Sequence, residues 1–275
     1  MSTAADQEFY LRKGATSQDY WKELWRYREL LYFLAWRDIL VRYKQTVAGV
    51  GWAVLRPAIT VLVFTVLFGK LGKLPSGGVP YPVLVLAAMP AWQMFSTALA
   101  TATQSLVANT SLISKVYFPR LIIPCGAVGA TVADFAITLL LCMAGMVFYG
   151  ITPSWSWLTV LPLSVLVFIA SLGPTILLSA LSVQYRDFKH LVPFMVQIGA
   201  YVTPVGFAST IVPEKWRLLY ACNPMVGVMD GFRWAFYGMP LNPATLAISA
   251  GVSVLLLVVG VICFRRMERG FADVI

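Results

Sequence analysis

The chain has 275 residues, 59% of them apolar and only 12% charged, against about 25% charged in soluble domains. Uncharged runs of roughly 20 residues recur, each long enough to cross a ~30 Å hydrocarbon core, and they are continuous rather than alternating, which excludes a β-barrel. The net charge of +9 does not call for nucleic acid, because in a polytopic all-α membrane protein basic residues first of all orient the loops.

Residues 1–18 are polar, contain Asp6, Glu8, Arg12 and Lys13, and lack an apolar core of signal-peptide type, so they read as a cytoplasmic segment. Residues 19–45 have a helical period. Asp19, Lys22, Arg26, Glu29, Arg37 and Lys44 form one stripe, Trp21, Leu24, Trp25, Leu31, Tyr32, Ala35, Trp36, Ile39 and Tyr43 lie opposite, and Arg28 and Arg42 are exceptions. Such a helix suits the headgroup boundary of an anionic leaflet.

Residues 46–264 then carry six expected spans, at about 50–69, 83–107, 121–149, 157–183, 191–210 and 244–264, followed by a basic tail, 265–275. Arg56-Pro57 falls in the first span. Arg56 either snorkels, holds the amphipathic helix or faces a polar path. The second span is interrupted by Pro90 and bears Gln93, Ser96, Thr97, Thr101 and Gln104, a stripe that suits a path or ordinary helix packing. Asp134, in the middle of the third, has Arg56 or a neighbouring hydroxyl as candidate partner. Between spans five and six, residues 211–243 are too apolar for a solvated loop and too often broken by Pro and Gly for a span. Two short interfacial or re-entrant helices, split at Asn223-Pro224, fit best, with Asp230 and Arg233 three apart and able to pair.

Between spans two and three lies Ser105–Arg120. Asn109, Thr110 and Ser111 offer capping chemistry, Leu112, Ile113, Val116 and Phe118 keep an apolar face, Lys115 and Arg120 add charge, and Pro119 stops a helix. The stretch looks built to dock. With the N-terminus inside, Lys115, Arg120, Arg186, Lys189, Arg265, Arg266 and Arg269 join the basic N-terminal residues on the cytoplasmic side. Lys70, Lys73, Lys215, Arg217 and Arg233 stay outside, as positive-inside charge requires.

The four cysteines, Cys125, Cys142, Cys222 and Cys263, imply no disulfide framework. With His190 the single histidine, no metal site is expected. No phosphate-binding G-x-x-x-x-G-K-[ST] loop, nucleophile elbow or H-E-x-x-H motif is present. The chain is therefore expected to be a transporter rather than an enzyme, drawing energy from a partner or an ion gradient. Only Asp134 and Arg56 are ionisable within the spans, and no second half repeats the first, which leans away from an ion-coupled carrier.

The residues carry a resemblance. The helix Tyr20–Lys44 and the motifs VGWAVLRP (Val50–Pro57), NTSLISKVYFPR (Asn109–Arg120), QYRDF (Gln184–Phe188) and NPMVGVMDGFRWAFYG (Asn223–Gly238) together resemble the permease subunit of an ABC-2 type exporter. The likeness is to the subfamily that moves lipid-linked polysaccharides such as O-antigen, capsule or teichoic acid. It implies a homodimer in the bacterial inner membrane, both termini cytoplasmic. It implies no cofactor in this chain, with ATP and Mg bound by a separate ATPase. It also implies that the N-terminal helix, with Trp25, Arg28, Trp36 and Arg37, and the stretch with Asn109, Ser111, Leu112, Ile113, Lys115, Phe118 and Pro119, contact that ATPase. Ile211–Tyr237, with Asn223, Pro224, Asp230 and Arg233, would gate the outer mouth, although Asp230 stands where the longer Glu is expected. Sugar C–H faces stack on flat rings, so Tyr43, Trp52, Trp92, Phe95, Tyr201 and Phe207, with Arg56, are channel candidates. The alternative for each aromatic is the ordinary interfacial belt. For the whole protein the alternatives are an ABC-2 exporter of a drug or small lipid and an ion-coupled carrier.

Overall fold

The structure, a computed structural model, describes residues 17–44, 49–185 and 187–271. Arg12 and Lys13 of the N-terminal segment, Arg186 of the QYRDF motif and the last four residues lie outside the described residues. All regular structure among the described residues is helical.

The expected interfacial helix is two helices, α1 (Ser17–Arg26) and α2 (Arg28–Lys44), joined at Tyr27. The break is slight, since hydrogen bonds from Tyr27 N to Glu23 O and from Leu31 N to Tyr27 O still run through it. Then come α3 (Gly49–Phe64), continued by a π-helical turn at Thr65–Leu71, and α4 (Tyr81–Ala102). The short α5 (Ser105–Ala108) and α6 (Thr110–Lys115) lead to α7 (Ile122–Phe148) and α8 (Val160–Gln184). α9 (Phe188–Val202), α10 (Glu214–Tyr220), α11 (Pro224–Tyr237) and α12 (Pro243–Met267) complete the order.

Among the described residues, five stretches are long and apolar enough to cross a membrane: Gly51–Leu71, Tyr81–Ala102, Ile122–Phe148, Trp155–Gln184 and Pro243–Met267. The expected fifth span, 191–210, is not a continuous helix. α9 has 15 residues, about 22 Å at 1.5 Å per residue, and stops at Thr203, which is extended. The reason is Pro204, whose ring clashes with a helical preceding residue.

The segment between spans five and six is split where expected. The Asn223 side chain caps α11 by accepting the Met225 N–H at 3.0 Å, with Pro224 at the first position. The same Asn-Pro device starts α12, where Asn242 accepts the Ala244 N–H at 2.9 Å. α11 does not lie on the surface. Met225, Val228, Met229, Phe232, Ala235 and Phe236 are buried in the main core with residues of α4, α7 and α8.

Close helix contacts rest on small residues, as in membrane bundles. α8 and α12 cross at Gly173 and Gly260, where a Cβ on Gly260 would lie 2.4 Å from the Gly173 carbonyl oxygen. α2 docks on α7 at Gly126, whose Cβ position is 3.3 Å from Leu34 Cβ. Leu34 is therefore buried, and the docked face of α2 carries Leu31, Leu34 and Ala35, while Tyr32 and Trp36 stack on each other outside with centroids 6.4 Å apart.

Candidate functional site

A second, smaller core lies where α7 begins and α12 ends. Leu34, Leu106, Phe118, Leu121, Phe264 and Phe271 are buried in it, and Leu112 and Ile113 pack against it. Of the apolar face expected of Ser105–Arg120, Leu112, Ile113 and Phe118 are thus turned inward, with Pro119 also buried, but Val116 is not: it follows the end of α6 in extended backbone and is half exposed. The surface this segment offers consists of Val107, Ser111, Ser114, Lys115, Val116 and Tyr117. Asn109 sits at the N-cap of α6 but makes no capping bond. Its amide donates to Ser105 O at 2.8 Å and its oxygen accepts from Arg37 Nη2 at 3.2 Å. Arg37 also pairs with Asp38 at 2.8 Å, so Asn109 ties the segment to α2 instead of starting α6. Trp25 and Trp36 are exposed, and Arg28 lies over the Trp25 ring at 5.3 Å.

The far end of the segment is held by Glu268. Its carboxylate accepts the Arg120 N–H at 2.7 Å and the Tyr20 hydroxyl at 3.0 Å, while Arg120 Nη1 donates to the Glu268 carbonyl at 2.9 Å. Burial holds the Glu268 carboxyl above the usual range, against the pull of the Arg120 N–H and Tyr20. Burial and the adjacent Glu268 carboxylate also raise Tyr20. Three distant parts of the chain, α1, the α6–α7 connection and the end of α12, meet at this carboxylate. The sequence carries no local signal of it, because Glu268 is 148 residues from Arg120.

A polar cleft of about 360 Å³ lies between α2, α3, α4 and α7. It gathers three channel candidates, Tyr43, Trp52 and Arg56, with Gln93, Thr97 and Thr101 from the polar stripe of α4. Asp134 lines it too, and of its two expected partners the neighbouring hydroxyl is present, as that of Tyr43, whereas Arg42 stands in place of Arg56. Arg42 forms an ion pair with it and Tyr43 donates a hydrogen bond to it. Burial and then the Asp134 bond raise Tyr43. The pair explains why Arg42 departs from the charged stripe of its helix, and that departure was the signal available in the sequence. The other candidates lie elsewhere. Trp92 is buried beneath Gly199, with Phe95 at 5.9 Å, Tyr201 is exposed on α9, and Phe207 is half-buried beyond the α9 break.

Arg233 is completely buried. Pro204 leaves carbonyl groups without helical partners, and Arg233 takes them. Nη2 donates to Pro204 O at 2.5 Å and Val205 O at 3.3 Å, and Nε donates to Leu84 O at 3.4 Å. The expected ion pair with Asp230 is present at 3.5 Å, and Asp230 also accepts from Ser209 at 2.6 Å. Arg233 Nη1 and Asp230 Oδ1, the two atoms of this pair, make no hydrogen bond.

The description "ABC-2 type transporter" matches residues 29–237. The O-antigen export system permease protein RfbA of Myxococcus xanthus is 31% identical over 258 residues, covering 92% of this chain and 97% of that protein. RfbA of Klebsiella pneumoniae is 28% identical over 248 residues, covering 90% and 95%. The inner membrane transport permease YadH of Escherichia coli K12 is 25% identical over 223 residues, covering 78% and 86%.

Proposed function

This chain belongs to the ABC-2 type transporter family, and on that premise we propose that it is the permease subunit of an ATP-driven exporter of a lipid-linked polysaccharide of O-antigen type. The observation that carries the reading is the near full-length likeness to permeases named for O-antigen export. The cleft of Tyr43, Trp52 and Arg56 beside uncharged Gln93, Thr97 and Thr101 supports it, since a glycan asks for rings and hydrogen-bonding groups and a diphosphate-type linkage asks for a cation.

The working protein is read as a homodimer in the bacterial inner membrane with both termini cytoplasmic. The fifth of the six spans is α9 with the irregular stretch after it, an arrangement tolerated where protein satisfies the freed backbone. The apolar outer faces of α3 (Leu55, Leu62) and α9 (Phe194, Ile198) are exposed and suit pairing with a second copy. α10 and α11 serve as the outer gate, with Asn223, Pro224, Asp230 and Arg233 holding it. A separate ATPase binds ATP and Mg and pushes on Ser111, Lys115, Val116 and Tyr117. Leu112, Ile113, Phe118 and Pro119 seat that surface, and α1–α2 lie beside it.

The likeness to YadH, whose name specifies no polysaccharide, favours a second reading, an ABC-2 exporter of a drug or small lipid. Purifying the chain from its native membrane and identifying the ATPase and the glycolipid that accompany it separates the two. ATPase with polysaccharide-linked lipid is the expected result; ATPase with none favours the second reading, and transport driven by an ion gradient without any ATPase sinks both.

A further inference from the structure

α1, α7, α8 and α12 do not close on one another at the end of the bundle where α12 finishes. They leave a groove of about 890 Å³, within the range of sites that hold sizeable small molecules. Its walls are apolar: Leu24 from α1, Leu121 beside α7, Leu172 and Ile176 from α8, Leu257 and Val261 from α12. Its open side is flanked by Val258 and Ile262, each about half exposed at 49% and 48%. Among the described residues, the charged ones that line it are Arg265 and Arg266, at the C-terminal end of α12. Arg265 is held in place by stacking over the Tyr20 ring at 4.6 Å, and Arg266 is exposed. The adjacent carboxylate, Glu268, accepts from Arg120 and Tyr20 and also feels the Arg265 charge, so the exposed Arg266 is the cation on which the test turns.

We propose that this groove holds an acyl chain of an anionic phospholipid, with the headgroup phosphate taken by Arg265 and Arg266. The distribution of charge selects this occupant. A free phosphate would need the two arginines but not the apolar walls. A peptide would bring backbone N–H and C=O groups that such walls cannot satisfy. An acyl chain has none, and the headgroup phosphate of the lipid that carries it is anionic, opposite in sign to the two arginines among the described lining residues. The groove opens beside a helix that crosses the membrane, where lipid is the surrounding solvent. Because Trp21 and Leu24 form one wall, a bound lipid joins α1 to α8 and α12. The inference needs only a membrane around the chain and holds whatever the exported substrate is.

The test is native mass spectrometry of the full-length chain in non-ionic detergent with equal amounts of phosphatidylglycerol and phosphatidylcholine. Phosphatidylglycerol is expected to be retained in preference. Val258→Trp, which fills the open side, lowers retention of both lipids. Arg266→Gln lowers phosphatidylglycerol retention about fivefold and leaves phosphatidylcholine unchanged, while Arg266→Lys keeps most of the preference. Equal retention of the two lipids by the unaltered chain overturns the proposal. So does undiminished phosphatidylglycerol retention in Arg266→Gln, a surface change that decides the matter even if Val258→Trp fails to fold. Efficient disulfide formation between two Val258→Cys chains in the presence of phosphatidylglycerol assigns the groove to a second copy and likewise overturns it.

Discussion

Glu268 accepts the backbone N–H of Arg120 at 2.7 Å while its own carbonyl takes the Arg120 guanidinium at 2.9 Å. Two segments far apart in the chain are thereby closed into one unit just where α6 gives way to α7. Glu268→Ala leaves the Arg120 N–H and the Tyr20 hydroxyl without this acceptor and is expected to cost about 1–3 kcal/mol. Because burial raises the Glu268 carboxyl, the fold binds its proton more tightly than the unfolded chain does. Its contribution is therefore fully present below the unfolded value of about 4.3 and is lost as pH rises through the raised folded value. Thermal unfolding of the purified chain against Glu268→Gln, followed from acid to neutral pH, should show the unaltered chain losing ground as pH rises; a constant difference would remove the ionisation from the account.

Asp134 meets Arg42 and Tyr43 in the polar cleft. Asp134→Ala takes the carboxylate away from a partly buried guanidinium and from the Tyr43 hydroxyl and should destabilise by about 1–3 kcal/mol, the lower side of buried-pair losses because Arg42 is about a third exposed. The double change Arg42→Ala with Asp134→Ala should recover part of this. A double variant as unstable as the sum of the singles would argue against coupling.

At the crossing of α8 and α12, Gly260→Ala places a methyl group 2.4 Å from the Gly173 carbonyl oxygen. The helices must separate, at about 1–3 kcal/mol. Gly251→Ala, on the same helix with nothing within 4 Å, should be neutral or stabilising by up to about 1 kcal/mol. Melting temperatures of the two variants in one detergent settle the comparison.

Lys115 and Leu112 are three residues apart on α6 but differ in burial, Lys115 being exposed and Leu112 packed against the second core. Lys115→Glu should lower the amount of ATPase that co-purifies while leaving the melting temperature of the chain unchanged. Leu112→Asp should lower both, since Leu112 packs on the chain's own core. Full complex yield with Lys115→Glu would take this surface out of the coupling role.

Among the aromatic candidates, burial separates lining from support. Trp52→Ala and Tyr201→Ala, at exposed rings, should reduce glycan export with normal expression. Trp92→Ala removes a buried ring and should cost about 3–5 kcal/mol, seen first as a loss of folded protein. Normal export by Trp52→Ala would strike it from the channel.

Composition and run length alone determined that the chain is a helical membrane protein, because a backbone in hydrocarbon must satisfy its own hydrogen bonds and helices do so within one segment. Local chemistry also placed the Asn223-Pro224 split and the Asp230–Arg233 pair, since a cap and a three-residue spacing act through neighbours in the chain. Tertiary structure alone decided the rest. It turned Leu112, Ile113 and Phe118 inward, gave Asp134 to Arg42 rather than Arg56, brought Glu268 to Arg120, and used Arg233 to collect the carbonyls that Pro204 releases. Each depends on which helices pack side by side, and a periodicity shows that a face is apolar without showing what covers it. Ser105–Arg120 shows this most plainly: its apolar residues were legible, but packing alone buried Leu112, Ile113 and Phe118 and left Val116 with Ser111, Lys115 and Tyr117 on the surface.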